Sequence, residues 1–87
     1  AEAAARPSPA LVALLKVLLA AQCEQHHVAP RLVAVSEDID RLALGEEVDV
    51  PALHGWRREV FGADALALRD GRMALGVAGR QVRLIAA

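Results

Sequence analysis

Between Ser8 and Pro30 the chain reads PALVALLKVLLAAQCEQHHVA, and no other stretch limits the fold as much. Leu11, Leu14, Leu15, Leu18, Leu19 and Cys23 recur at spacings of three and four, with Val12 and Val17 widening the set into one broad apolar stripe. Ser8 supplies a capping oxygen, and Pro9 occupies the first helical position, where its missing N–H costs nothing. The helix should end near His27, because Pro30 cannot continue it. An element this long and this apolar belongs at the centre of a core. Lys16 and Gln22 interrupt the apolar run 10–23, which leaves it short of a membrane span.

The rest of the chain supplies elements to cover that helix. Pro30-Arg31-Leu32-Val33 reads as a helical turn whose Leu32 and Val33 close over it. Ser36 should cap the next helix, with Glu37 and Asp38 favourably placed in its first turn, Ile39, Leu42 and Ala43 inside, and Gly45 as terminator. An acidic loop, Glu46 to Asp49, follows. Pro51 should open a fourth helix, PALHGWRREVF, with Leu53, Trp56, Val60 and Phe61 on one side. Gly55 costs that helix about 1 kcal/mol relative to alanine and points to a close approach or an irregular start. Gly62 should end it, and residues 63–69 can add one or two turns through Leu66. From Arg72 the period becomes two: Met73, Leu75 and Val77, then Arg80 to Leu84, form a hairpin turning at Ala78-Gly79. A hairpin alone is marginal, so it should pack on the helices. The sum is a mainly α fold, a small bundle of four to five helices followed by a C-terminal β-hairpin.

The 87 residues suit one domain, and 24% charged residues argue against disorder. A single cysteine, Cys23, excludes an internal disulfide. The net charge is -1, yet it is unevenly placed. Residues 37–49 hold Glu37, Asp38, Asp40, Glu46, Glu47 and Asp49 against Arg41 alone. Residues 57–87 hold Arg57, Arg58, Arg69, Arg72, Arg80 and Arg83 against Glu59, Asp64 and Asp70. A polyanion could meet the C-terminal part while the middle repels it.

Catalytic patterns are weak. Cys23-x-x-His26 has a metal-ligand spacing, but the adjacent His26 and His27 point apart on a helix and further ligands would have to come from elsewhere. No group positions a Cys–His nucleophile. The carboxylates do not come from the separate rigid elements that two-metal chemistry requires, and no Gly-rich loop precedes a lysine. No metal site, cofactor or catalytic residue is expected in this chain. Leu15, Leu32, Ile39, Trp56 and Phe61 are the expected packing anchors. Lys16, Arg57, Arg58, Arg69, Arg72, Arg80 and Arg83 are the candidates for contact with nucleic-acid phosphates.

The segments VAPRLVAVSEDIDRL and LHGWRREV, with the preceding helix, resemble the C-terminal helical domain of bacterial ribonuclease D, the HRDC-type module shared with RecQ-family helicases. The resemblance covers roughly residues 8–68; the hairpin departs from the common HRDC pattern. Residues 1–7 read as a flexible leader and 71–87 as a hairpin extension packed on the helices, and the resemblance makes 8–70 an HRDC-like domain. It also implies a cytoplasmic parent protein, a 3′-to-5′ exoribonuclease acting on tRNA precursors and other RNA ends. An upstream catalytic domain would hold the divalent metal ions. The chain itself would assist RNA binding without doing chemistry, or else pack on the catalytic domain as a structural module. By this reading RNA and that upstream domain are its partners, and no membrane is involved.

Overall fold

Helix α1 (Pro9–His26) opens as its sequence dictates: the Ser8 hydroxyl accepts the Leu11 N–H at 3.3 Å, and Pro9 takes the first helical position. The computed structural model describes residues 7–45 and 49–87. The expected leader, apart from Pro7, and residues 46–48 of the acidic loop lie outside the described residues. The helix closes with two backbone bonds, from the Val28 N–H to the Cys23 carbonyl at 2.9 Å and from the His27 N–H to the Glu24 carbonyl at 3.4 Å. His27 stands between them in the left-handed region, φ 58° and ψ 45°, a place usually given to glycine.

A three-residue 3₁₀ turn (Pro30–Leu32) leads to α2 (Ser36–Ala43), and a second such turn (Pro51–Leu53) precedes the last helical rod. The rod, α3, spans 55–69 in three continuous parts: an α turn (Gly55–Arg57), a π segment (Arg58–Gly62) and an α segment (Ala63–Arg69). The described residues thus form three helices, fewer than the four to five expected. The expected helix from Pro51 to Phe61 is broken by extended backbone at His54 (φ -126°, ψ 145°) and left-handed backbone at Gly55 (φ 57°). Gly62 does not terminate anything. It keeps helical angles, and it is glycine because the Ala52 carbonyl lies against it: an added Cβ would sit 2.0 Å from that oxygen. Nor does Ser36 cap α2. Val35 precedes the helix in extended backbone, and the Asp38 carboxylate reaches back to accept its N–H at 3.3 Å.

The core gathers around α1. Leu15, Leu18, Leu19 and Cys23 meet Val33 and Ala34, then Ile39, Leu42 and Ala43 of α2, Val50 and Ala52, and Val60, Phe61, Ala65 and Leu68 of α3. Each fully buried large apolar side chain contributes on the order of 1.5–3 kcal/mol. Two expected anchors stand outside. Leu32 is 53% exposed and Trp56 45%. Val33 and Ala34 take the inward places after the first 3₁₀ turn. The second turn folds back on the π segment and puts Val50 and Ala52 beside the rod, leaving the side chain at the rod's first turn outside. The α1 stripe is also narrower than its sequence, since Leu14 and Val17 are exposed.

Strands β1 (Met73–Ala78) and β2 (Gln81–Ala86) form the expected antiparallel hairpin, with Leu75 opposite Leu84 and Ala78 opposite Gln81. That register places the turn at Gly79-Arg80, one residue beyond the Ala78-Gly79 expected. Both turn residues have positive φ, 58° and 66°, the signature of a two-residue hairpin turn matched to strand twist. Leu75 and Leu84 pack on the helical core, whereas Val77 near the tip is 77% exposed. The hairpin is therefore anchored at its middle, and its tip projects. The molecule is elongated, 47 × 25 × 18 Å.

Candidate nucleic-acid interface

Alternation in β2 sends Val82 and Leu84 to one face of the hairpin and Gln81 and Arg83 to the other. Arg83 lies opposite Gly76, over which the Ile85 side chain reaches, its Cδ1 3.3 Å from where a Cβ would stand. Arg80 is carried on the turn itself. Together with Arg72 at the base, they give residues 72–86 three arginines and no acidic residue. Neither Arg80 nor Arg83 makes an ion pair among the described residues, while Arg72 stands 3.6 Å from Asp70.

Beside β2 runs the C-terminal half of α1, and the two enclose an open groove of about 550 Å³. Its helical wall is Ala21, Gln22, Glu24, Gln25 and His27; its strand wall is Gln81, Val82, Arg83 and Leu84. The lining is polar, with Gln22, Gln25, Gln81 and His27 beside one charge of each sign, Arg83 and Glu24. Gln22 also braces the groove from below. Its amide donates to an Asp64 carboxylate oxygen at 2.7 Å and to the Val60 carbonyl at 3.3 Å, tying α1 to α3. Nothing in a heptad-like stripe marks a glutamine for that task, and the sequence reading overlooked it.

The other candidates divide. Arg57 donates from Nε to the Leu32 carbonyl at 2.7 Å, and its guanidinium lies over the Trp56 ring, 4.6 Å from the ring centre. Arg58, the next residue, is exposed. Arg69 is held within the fold: its side chain is only 17% exposed, bonded to Asp70 at 3.0 Å and reaching the Leu42 carbonyl at 3.5 Å. It pins α3 to α2. Lys16 is exposed on α1 as an isolated charge. The chain therefore offers Arg80 and Arg83 at the groove and tip, and Arg57 and Arg58 beside Trp56.

Burial pushes the Cys23 thiol upward, so at neutral pH it is a protonated core group rather than a nucleophile or ligand. Among the described residues no group of three or more His, Cys, Asp or Glu side chains is placed to hold a metal ion. His54 and Asp49 pair across the turn Pro51–Leu53, but both are exposed and contribute little. No described helix is long and apolar enough to cross a membrane.

No family model matches the chain, and neither does a solved structure. Curated relatives do. The chain is 73% identical over 82 residues to "Ribonuclease D" of Gluconacetobacter diazotrophicus, which is 94% of this chain and 21% of that protein. It is 69% identical over 84 residues to "Ribonuclease D" of Granulibacter bethesdensis, 97% of this chain and 21% of that protein. Against "Ribonuclease D" of Acidiphilium cryptum the identity is 56% over 81 residues, 93% of this chain and again 21% of the relative. Over nearly its whole length this chain is similar to one part of proteins named ribonuclease D, and it spans about a fifth of their length.

Proposed function

We propose that this chain is a non-catalytic accessory domain, HRDC-like in its helices, of a ribonuclease D-type 3′-to-5′ exoribonuclease, and that it helps to bind and position RNA. The catalytic metals and the chemistry of tRNA and RNA 3′-end processing belong, on this reading, to another domain of the same polypeptide. The observation that carries the RNA role is the cationic hairpin beside the groove: Arg80 and Arg83 are exposed and make no ion pair among the described residues. With a net charge of -1, isolated affinity should be weak, near or beyond about 10⁻⁴ M at physiological salt.

The test is the salt dependence of binding to labelled single-stranded RNA, measured by anisotropy. Each lost phosphate contact lowers the slope of log K against log salt by about 0.7 for a single strand, so Arg80→Gln with Arg83→Gln should lower it by about 1.4. An unchanged slope in a folded double variant removes the hairpin from the interface.

A second reading is favoured by one observation. The outward side of α1 carries exposed Ala10, Ala13, Leu14, Val17 and Ala20 with Lys16 as its one charge in that span. A helix apolar on every side is usually covered. This face suits packing against another domain of the same polypeptide, without direct RNA contact. Leu14→Gln with Val17→Gln would then weaken docking to that domain and spare RNA affinity.

A further inference from the structure

Resting on the RNA reading above, we infer that Trp56, backed by the Arg57 guanidinium, is a stacking platform for an unpaired RNA base. A large aromatic in a chain with only two aromatic residues would ordinarily be core, as Phe61 is. Trp56 is 45% exposed instead, although Arg57 already lies over its ring at 4.6 Å. That exposure persists with a guanidinium already seated over the ring.

The arrangement is held in place before any ligand arrives. Arg57 is bonded through Nε to the Leu32 carbonyl, so it is fixed from one side by the first 3₁₀ turn and from the other by the indole. Gly55 in left-handed backbone and extended His54 bring the chain into α3 at an angle that places Trp56 in the rod's exposed first turn. Little side-chain freedom is left to lose on binding.

The surroundings select the ligand. The Arg57 guanidinium lies on the indole, and Arg31 and Arg58 are exposed next in sequence to Leu32 and Arg57, with Glu59 the acidic residue that follows them in α3. Exposed Leu32 and Val35 would also suit a protein partner, but an arginine plane already stacked on the indole, with further exposed arginines next in sequence, fits a phosphate-linked ligand better. Stacked aromatic and arginine planes are how unpaired bases are held without sequence preference. A base pair inside a duplex presents no free face, which makes the ligand single-stranded.

Trp56 is the one tryptophan and the chain has no tyrosine, so its emission reads the site directly. The experiment titrates the folded 87-residue chain at low salt with a labelled oligouridylate of about eight nucleotides, a single-strand site of ordinary size. RNA anisotropy and Trp56 emission are followed together. The expected result is saturable quenching that tracks the anisotropy, a loss of about five- to a hundredfold in affinity in Trp56→Ala, smaller in Trp56→Phe, and no quenching by a blunt RNA duplex. Anisotropy that rises to saturation with unchanged emission, or Trp56→Ala binding as the parent chain does, overturns the platform and leaves the RNA reading standing. No anisotropy change with any RNA overturns both. Quenching by the remaining domains of a ribonuclease D protein, but not by RNA, assigns the patch to protein docking and overturns the inference.

Discussion

Replacing Gly62 with alanine separates two accounts of the same residue by the sign of the effect. In an ordinary exposed helix the change stabilises by about 1 kcal/mol, because alanine has the better helix propensity. Gly62 has helical angles, φ -57° and ψ -46°, so alanine meets no backbone obstacle of its own. Its new Cβ, however, would lie 2.0 Å from the Ala52 carbonyl oxygen and 3.3 Å from the Leu53 Cα. The first of these must open by at least 1.0 Å to reach 3.0 Å, the shortest separation real Cβ atoms show. No side chain can swing away, because the obstacle is backbone held by the Leu53 N–H to Val50 carbonyl and His54 N–H to Pro51 carbonyl bonds, 3.0 and 3.1 Å. Overpacking of this kind costs about 3 kcal/mol, and propensity returns about 1. The net loss of about 2 kcal/mol should lower Tm by about 8–16 °C in a domain of this size. Thermal unfolding followed by far-UV circular dichroism measures it. Gly45→Ala is the control: φ is 79° and nothing lies within 4 Å, so only backbone strain is added. A Tm for Gly62→Ala above that of the parent chain would refute the close approach of the Pro51–Leu53 turn.

Other consequences follow from single residues. His27→Gly should stabilise by about 1 kcal/mol, since it removes a side chain from left-handed backbone; urea melts showing a loss would mean that His27 contributes contacts worth more than the strain. Arg80→Gly should likewise favour the turn while weakening RNA binding, so stability and affinity should move in opposite directions. The raised Cys23 thiol predicts a pH effect. The unfolded thiol ionises as the pH passes about 8.5 while the folded one holds its proton, so stability is full below that value and falls above it. Cys23→Ala should flatten that alkaline limb in denaturant titrations, and an unchanged limb would deny the thiol its part. Phe61→Ala should cost about 3–5 kcal/mol, measured by the shift in urea midpoint.

The elements legible from sequence were those whose signals are local. Ser8-Pro9 announces α1, Pro30 closes it, and alternation from Met73 to Leu84 announces the hairpin. What escaped depends on contacts distant in sequence. Gly62 reads as a stop because glycine usually is one, and only the Ala52 carbonyl from the preceding turn explains why it lies inside a continuous rod. Trp56 looks like a core anchor because size and spacing say so, but Val50 and Ala52 had already filled the place beside α3. Among the charged candidates, composition cannot tell exposed Arg83 from Arg69, bound to Asp70 and to the Leu42 carbonyl. The turn moved by one residue for the same reason: strand register, set by Leu75 against Leu84, decides which two residues take positive φ.

The most direct test of the RNA role is an NMR titration of this chain with short single-stranded RNA at low salt, repeated near physiological salt. Phosphate contacts weaken steeply over that range, so true interface shifts must shrink with it. The account predicts salt-sensitive shifts at Arg80 and Arg83, along Gln22 to His27 across the groove, and at Trp56 to Arg58, with Arg69 unmoved. Shifts confined to Lys16 and the outward face of α1, or none at millimolar RNA and low salt, would contradict it and leave the chain a packing module.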